Sequence, residues 1–151
     1  MLVSRKSRYA LRAVLELALR QGQGPVKIAE IAASQAIPLR FLEIILSQLK
    51  QAGLVESRRG NAGGYLLARF PDRITVGEVL EFMQGPINLS DCTEGGQSKR
   101  KCPLLDNCVF LPMWEKVQGA ISGVYDHTTF EDLVAQKKKL EKGNYTPCYS
   151  I

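Results

Sequence analysis

The stretch FLEIILSQLKQAGLVESRRGNAGGYLLAR, residues 41–69, joins a helical pattern to a glycine-rich one. The apolar spacing of its first part predicts a helix that begins near Pro38, a position where a missing N–H costs nothing. The side chains expected to be buried are Phe41, Leu42, Ile45, Leu46 and Leu49. The side chains expected to point outward are Arg40, Glu43, Ser47 and Lys50. A helix with one such apolar face needs neighbouring elements to cover it.

The second part of the stretch predicts a β-hairpin. Gly53 is expected to end the helix, and an extended run then begins at Leu54 and returns through residues 65–67. The tip carries three glycines that permit positive φ, namely Gly60, Gly63 and Gly64. Arg58 and Arg59 stand beside this tip.

The residues before this stretch predict two further helices. Apolar residues from Leu11 to Leu19 follow helical spacing, and a second short helix carries Ile28 and Ile31 on one face. The basic residues that line the first helix and the approach to it are Arg5, Lys6, Arg8 and Arg12. A short helix, a turn at residues 35–37 and another helix form a helix-turn-helix pattern, and a hairpin after it is a wing. The wing arginines then lie where they would meet a DNA minor groove, although a solvated turn with incidental arginines is the alternative.

The distribution of charge agrees with binding to a polyanion. Residues 1–75 hold 12 Lys/Arg against 5 Asp/Glu, whereas residues 76–151 hold 8 against 10, so the net charge of +5 belongs to the first half. We therefore expect a DNA-binding region over residues 1–75 and a second region over residues 76–151. A basic face that serves only solubility is the alternative. No apolar run reaches the roughly 18 residues of a membrane span, so a cytoplasmic protein is expected.

The second half predicts three helices. Thr75 and Glu78 have the spacing of a capping box, and Gly85-Pro86 would end the helix that follows. Pro112 opens a longer helix whose apolar seam is Trp114, Val117, Ile121, Val124 and Thr128. Such a seam suits lengthwise packing on another helix, either in a partner chain or within the same chain. A last short helix is expected from residue 129.

Three of the four cysteines lie in the segment CTEGGQSKRKCPLLDNC, residues 92–108. Structural zinc favours cysteine pairs two to four residues apart, and Cys92, Cys102 and Cys108 form no such pair. Thiolates on a polar, glycine-containing segment suit an iron–sulfur cluster, since its ligands are cysteines. From the spacing alone, zinc binding, thiol redox chemistry and no chemistry remain alternatives. No histidine, carboxylate pair or nucleotide-binding loop accompanies the thiols, so an enzyme or electron carrier is not expected.

The segments SRKSRYALRAVLELAL and residues 41–69 resemble the winged-helix regulators of the IscR-type (Rrf-two) family, and the likeness covers nearly the whole chain. The resemblance implies a mainly α fold with a small β-hairpin wing, a winged helix-turn-helix plus a long dimerisation helix. It implies a homodimer on a double-stranded DNA operator, and the lack of a long apolar run predicts no membrane partner. The implied DNA-binding residues are Pro38, Arg40, Phe41, Glu43, Arg58, Arg59 and Gly60. It also implies that Cys92, Cys102 and Cys108 hold a 2Fe–2S or 4Fe–4S cluster that controls operator affinity.

The chain departs from the family pattern at two kinds of position. The wing reads Gly60-Asn61-Ala62-Gly63-Gly64, where the family usually has a proline followed by an unbroken glycine run. The fourth cluster ligand of two family subtypes is also missing, because Leu111 and Arg8 stand where they have histidine and aspartate. By its chemistry Cys148 is a candidate for that place, although a cysteine in a tail is usually incidental, whereas His127 at the end of the long helix is expected to be structural. A regulator that senses through thiol oxidation or zinc is therefore the alternative function.

Overall fold

The computed structural model describes residues 3–90, 92 and 102–143. Within these residues the chain forms six helices and one two-stranded hairpin. The helices are α1 (Arg5–Leu19), α2 (Ile28–Gln35), α3 (Leu39–Gln51), α4 (Val76–Gln84), α5 (Leu111–His127) and α6 (Phe130–Glu141). The strands are β1 (Val55–Arg58) and β2 (Gly64–Leu67), and short 3-10 turns cover Pro71–Arg73 and Leu105–Asn107.

Helices α2 and α3 form the helix-turn-helix, and α1 packs against both of them. Ser4 caps α1, since its Oγ accepts a hydrogen bond of 3.0 Å from the Ser7 amide, so the helix begins before its apolar pattern does. Between α2 and α3 the chain turns at Ala36, which has a left-handed φ of 49°. Pro38 is the N-cap of α3, as the sequence predicts.

The prediction that Phe41 is buried is wrong. Leu42, Ile45, Leu46 and Leu49 of α3 are buried, but the Phe41 side chain is 55% exposed. Phe41 lies in the first turn of α3, where Tyr9 of α1 contacts its ring with centroids 6.4 Å apart. Helical spacing identifies the face of a residue but not how far the covering helix extends, and here Tyr9 covers only part of the ring.

The hairpin pairs β1 and β2 antiparallel, from Val55 opposite Leu67 to Arg58 opposite Gly64. Val26, just before α2, extends this pairing through two 2.8 Å backbone hydrogen bonds with Tyr65. Of the tip glycines, Gly60 has a positive φ of 105°, but Gly63 is not among the residues with positive φ. Gly63 is needed for a different reason, because a Cβ there would lie 2.2 Å from the Arg58 carbonyl oxygen.

Helices α4 and α6 of the second half pack against α1. Thr75 caps α4 by accepting a 3.2 Å hydrogen bond from the Glu78 amide, but the Glu78 carboxylate accepts from Arg69. The complete capping box lies instead at Thr129 and Asp132, at the start of α6. The hydrophobic core spans both halves of the chain, and its members from the second half are Val79, Phe130 and Val134. Among the described helices, none is both long enough and apolar enough to cross a membrane.

Candidate nucleic-acid interface and cysteine segment

The start of α3 presents its predicted DNA-binding residues to solvent. Pro38, Arg40 and Glu43 are exposed, as is Phe41. No acidic residue occupies the first turn of α3, so Arg40 is the charge carried there. This end of α3 therefore offers a cationic donor, a carboxylate acceptor and an aromatic ring on one accessible surface.

The wing presents Arg58, Arg59 and Gly60, which are all exposed. Within the described residues, neither arginine forms an ion pair with a carboxylate, so both guanidinium groups are available to an anion. A link that sequence reasoning missed ties the wing to α3, because Lys50 Nζ donates a 2.6 Å hydrogen bond to Ser57 Oγ. This bond joins the last turn of α3 to β1 and helps to fix the wing relative to the helix.

A second missed feature ties α1 to α2. Glu16 is only 5% exposed and accepts 2.7 Å hydrogen bonds from Gln35 Nε2 and Arg20 Nε. Burial raises the pKa of this carboxyl, but the side chains of Gln35, Ser34 and Arg20, together with the charge of Arg20, outweigh burial, so the pKa of Glu16 lies below its ordinary value. Arg20 also donates to Glu30 at 2.7 Å. The spacing of Glu16 and Arg20, four residues apart on a helix, is the one signal that could have found this network.

All three cysteines of the segment are free thiols in the described structure. Cys92 and Cys108 are half-buried and Cys102 is exposed. The Ser90 hydroxyl lies 3.2 Å from Cys92 Sγ. A 3-10 turn separates Cys102 from Cys108, and α5 begins three residues after Cys108. The residues that connect Cys92 to Cys102, and the candidate ligand Cys148, lie outside the described residues.

The donor set suits an iron–sulfur cluster in its chemistry, since three free thiols can supply thiolate ligands. Within residues 3–90, 92 and 102–143, however, no three potential ligands are gathered closely enough to hold a metal ion. Binding would therefore require the thiols to come together. His127 Nδ1 lies 2.7 Å from the Gly123 carbonyl oxygen, so that ring nitrogen already has a partner within α5.

The apolar seam of α5 is largely uncovered by the residues that the structure describes. No residue of α5 is buried, and Val124 is 64% exposed. An open groove of about 580 Å³ follows the seam, lined by Lys116, Val117, Ala120, Ile121, Val124 and Tyr125. Among the described elements α5 packs chiefly on α4, so this face of α5 has no covering helix.

Comparison with known proteins matches the chain to one protein family and to individual regulators. Residues 3–136 match the Rrf2 family, described as an iron-dependent transcriptional regulator. The chain is 37% identical to the HTH-type transcriptional regulator IscR of Sodalis glossinidius over 141 residues, which cover 93% of this chain and 83% of that protein. The solved structure of CymR, the global cysteine regulator of Bacillus subtilis, matches with a TM-score of 0.74 and 35% identity over 90% of this chain and 98% of that one. The structure of T. potens IscR matches with a TM-score of 0.70 and 32% identity, over 99% and 95% of the two chains.

Proposed function

The chain belongs to the Rrf2 family of transcriptional regulators, and from this premise we propose that it binds an operator as a homodimer and senses its signal through Cys92, Cys102 and Cys108. The family and the winged helix-turn-helix fold expected from the sequence are both confirmed. The observation that carries the proposal is the pairing of an exposed α3 start and wing with three free thiols on a separate segment.

Operator recognition is assigned to the start of α3 and to the wing. Pro38 and Phe41 place the first turn of α3, from which Arg40 can donate to guanine and Glu43 can accept from cytosine in the major groove. In the proposed complex, the exposed wing residues Arg58, Arg59 and Gly60 lie beside the neighbouring minor groove. The Lys50–Ser57 hydrogen bond supports this division, since it joins the two elements that must reach DNA together.

The Arg59→Ala variant tests this assignment. If Arg59 contacts base edges, its loss should weaken operator binding by about 1–3 kcal/mol. The matched control is Arg73→Ala, because Arg73 is an exposed arginine outside the wing. Operators selected from a random duplex library would be titrated against both variants at several salt concentrations, and affinity should fall steeply with salt. Equal operator affinity of the Arg59→Ala protein and the control would contradict the assignment of the wing to the DNA interface.

The uncovered face of α5 supports a homodimer. Val117, Ile121 and Val124 form an apolar surface that nothing in the described chain covers. A second copy of the same helix would bury it by a two-fold contact, and two wings would then address two half-sites.

We further propose that the three cysteines hold an iron–sulfur cluster. The description of the family as iron-dependent supports this, as does the presence of three free thiols. In the sequence, the basic residues Lys99, Arg100 and Lys101 precede Cys102 and would offset the negative charge of a thiolate-bound cluster. When bound, such a cluster supplies a group that responds to iron supply and oxidation.

In the proposed mechanism, the end of α4 links the cysteine segment to the DNA-binding half. Gln84, the last residue of α4, lies eight residues before Cys92. Its Oε1 accepts hydrogen bonds from the Ser7 hydroxyl at 2.8 Å and from the Ser4 amide at 3.2 Å. Because Ser4 caps α1, a shift of α4 would move the start of α1, and this would change how α1 packs beside α3. Operator affinity would then change through a population shift and not through direct contact of the cysteines with DNA.

Iron and sulfide analysis after anaerobic purification tests the cluster. Wild-type protein should contain both elements and absorb visible light, and a Cys92→Ala, Cys102→Ala, Cys108→Ala variant should contain neither. Cys148→Ala is the matched control and should keep its iron. Equal iron in the triple variant and wild type would end the cluster assignment. Stoichiometric zinc would favour zinc sensing, and metal-free protein with reversible thiol oxidation would favour thiol sensing.

A further inference from the structure

Large apolar side chains occupy the outward face of α3, away from the hydrophobic core. Phe41 is 55% exposed and Ile44 is 56% exposed. They lie three residues apart and are therefore neighbours on the helix surface. The core-facing positions of α3 are already filled by Leu42, Ile45, Leu46 and Leu49. Packing among the described residues therefore does not account for Phe41 and Ile44.

These two side chains line an open groove of about 510 Å³ between the start of α1 and α3. The residues that line it are Arg5, Lys6, Tyr9, Phe41, Ile44 and Ile45. The Tyr9 ring is tilted by 48° to the Phe41 ring and supports it from one side. None of the lining residues is acidic, and two are cationic, so the groove combines an apolar surface with positive charge.

We propose that Phe41 and Ile44 read the 5-methyl groups of thymine in the operator, an inference that rests on the DNA binding proposed above. Neither side chain can donate or accept a hydrogen bond, so neither can read the polar edge of a base. The thymine methyl is the apolar group that base pairs present in the major groove. Arg40 and Glu43, exposed on the same helix, supply the polar contacts that flank it.

Charge identifies duplex DNA as the occupant of this groove. Arg5 and Lys6 line the groove together with the apolar side chains, so a phosphate backbone can pass them while base edges meet α3. A purely apolar protein partner would leave these cations without a counterpart. The specificity that follows is for half-sites with thymine at one or two positions opposite α3.

Replacing thymine by uracil in the selected operator removes the methyl group and nothing else. We expect wild-type affinity to fall about fourfold for each methyl that is buried against Phe41 or Ile44. In the Phe41→Ala or Ile44→Ala protein, the penalty at the position read by that residue should disappear. The Arg59→Ala protein should bind more weakly yet keep the uracil penalty. Leu140→Ala, which truncates an exposed leucine of α6, is the control and should behave as wild type.

The possible outcomes separate this inference from the function on which it rests. Failure to select any operator contradicts the proposed function itself. A selected operator that tolerates uracil at every thymine overturns methyl recognition alone. A uracil penalty that persists unchanged in both α3 variants assigns methyl recognition to other residues and also overturns it. Loss of the dimer in the Phe41→Ala or Ile44→Ala protein would show that the groove is a protein interface.

Discussion

Truncation of Glu16 to alanine should weaken the attachment of α2 to α1. The carboxylate is 5% exposed and accepts two hydrogen bonds of 2.7 Å, one from Gln35 across the helix pair and one from Arg20. A hydrogen bond to a charged group contributes about 1.5–3 kcal/mol. Arg20 keeps its second partner, Glu30, so the loss is dominated by Gln35. We therefore expect the free energy of unfolding to fall by about 2–3 kcal/mol, a large part of the roughly 5–15 kcal/mol of a typical domain.

Urea denaturation followed by circular dichroism measures this change. The midpoint should fall while the slope of the transition stays constant, because the surface exposed on unfolding is the same. Glu30→Ala is the matched control, since Glu30 pairs with the same arginine but its side chain is 50% exposed, and it should change stability by less than about 1 kcal/mol. If the two variants lose equal stability, the reasoning that burial of Glu16 makes its contacts important is refuted.

Three further changes test the Glu16 carboxylate, the hairpin and the α5 seam. Because the pKa of Glu16 is lowered in the folded state, its ionised form stabilises the fold fully above the ordinary glutamate pKa of about 4.3. The stability difference between wild type and Glu16→Gln, measured by urea titration, should therefore shrink as the pH falls below about 4. Gly64→Ala should destabilise the wing by about 2 kcal/mol, because its Cβ would lie 2.4 Å from the Val26 carbonyl oxygen. Gly119→Ala is the control, since its Cβ would meet open space, and it should leave thermal stability unchanged or higher. Ile121→Lys should convert a dimer into a monomer in analytical ultracentrifugation, since it would bury an unpaired charge at the seam, and a monomeric wild-type protein at micromolar concentration would contradict that seam.

Local patterns were sufficient to predict most elements of the fold. Pro38 begins α3, Gly85 caps α4, and the hairpin follows residues 55–67, because caps, glycines and apolar spacing act over a few residues. Long-range partners were not predictable in this way. The contacts of Val26 with Tyr65 and of Ser7 with Gln84 join residues far apart in sequence, and no local pattern distinguishes them.

The candidate site was predictable from the sequence to about the same extent as the fold. Arg40, Arg58 and Arg59 are exposed as expected from their place in the helix-turn-helix and wing, and their contacts with DNA stay predictions. Phe41 shows the limit of periodicity, since the spacing that marks a core residue also fits an exposed one at a helix start. Thiol spacing has a similar limit, because the distance between cysteines along the chain does not determine which of them meet in space.

Operator affinity of anaerobically purified wild type, compared with the variant that carries Cys92→Ala, Cys102→Ala and Cys108→Ala, tests the central claim most directly. Coupling between a sensing site and a binding site typically amounts to about 1–3 kcal/mol, so the two proteins should differ at least about fivefold in operator affinity. Cys148→Ala should bind as wild type does, and all three proteins should unfold at similar urea concentrations once iron has been removed. Equal operator affinity of wild type and the triple variant would contradict the claim that these three cysteines control DNA binding.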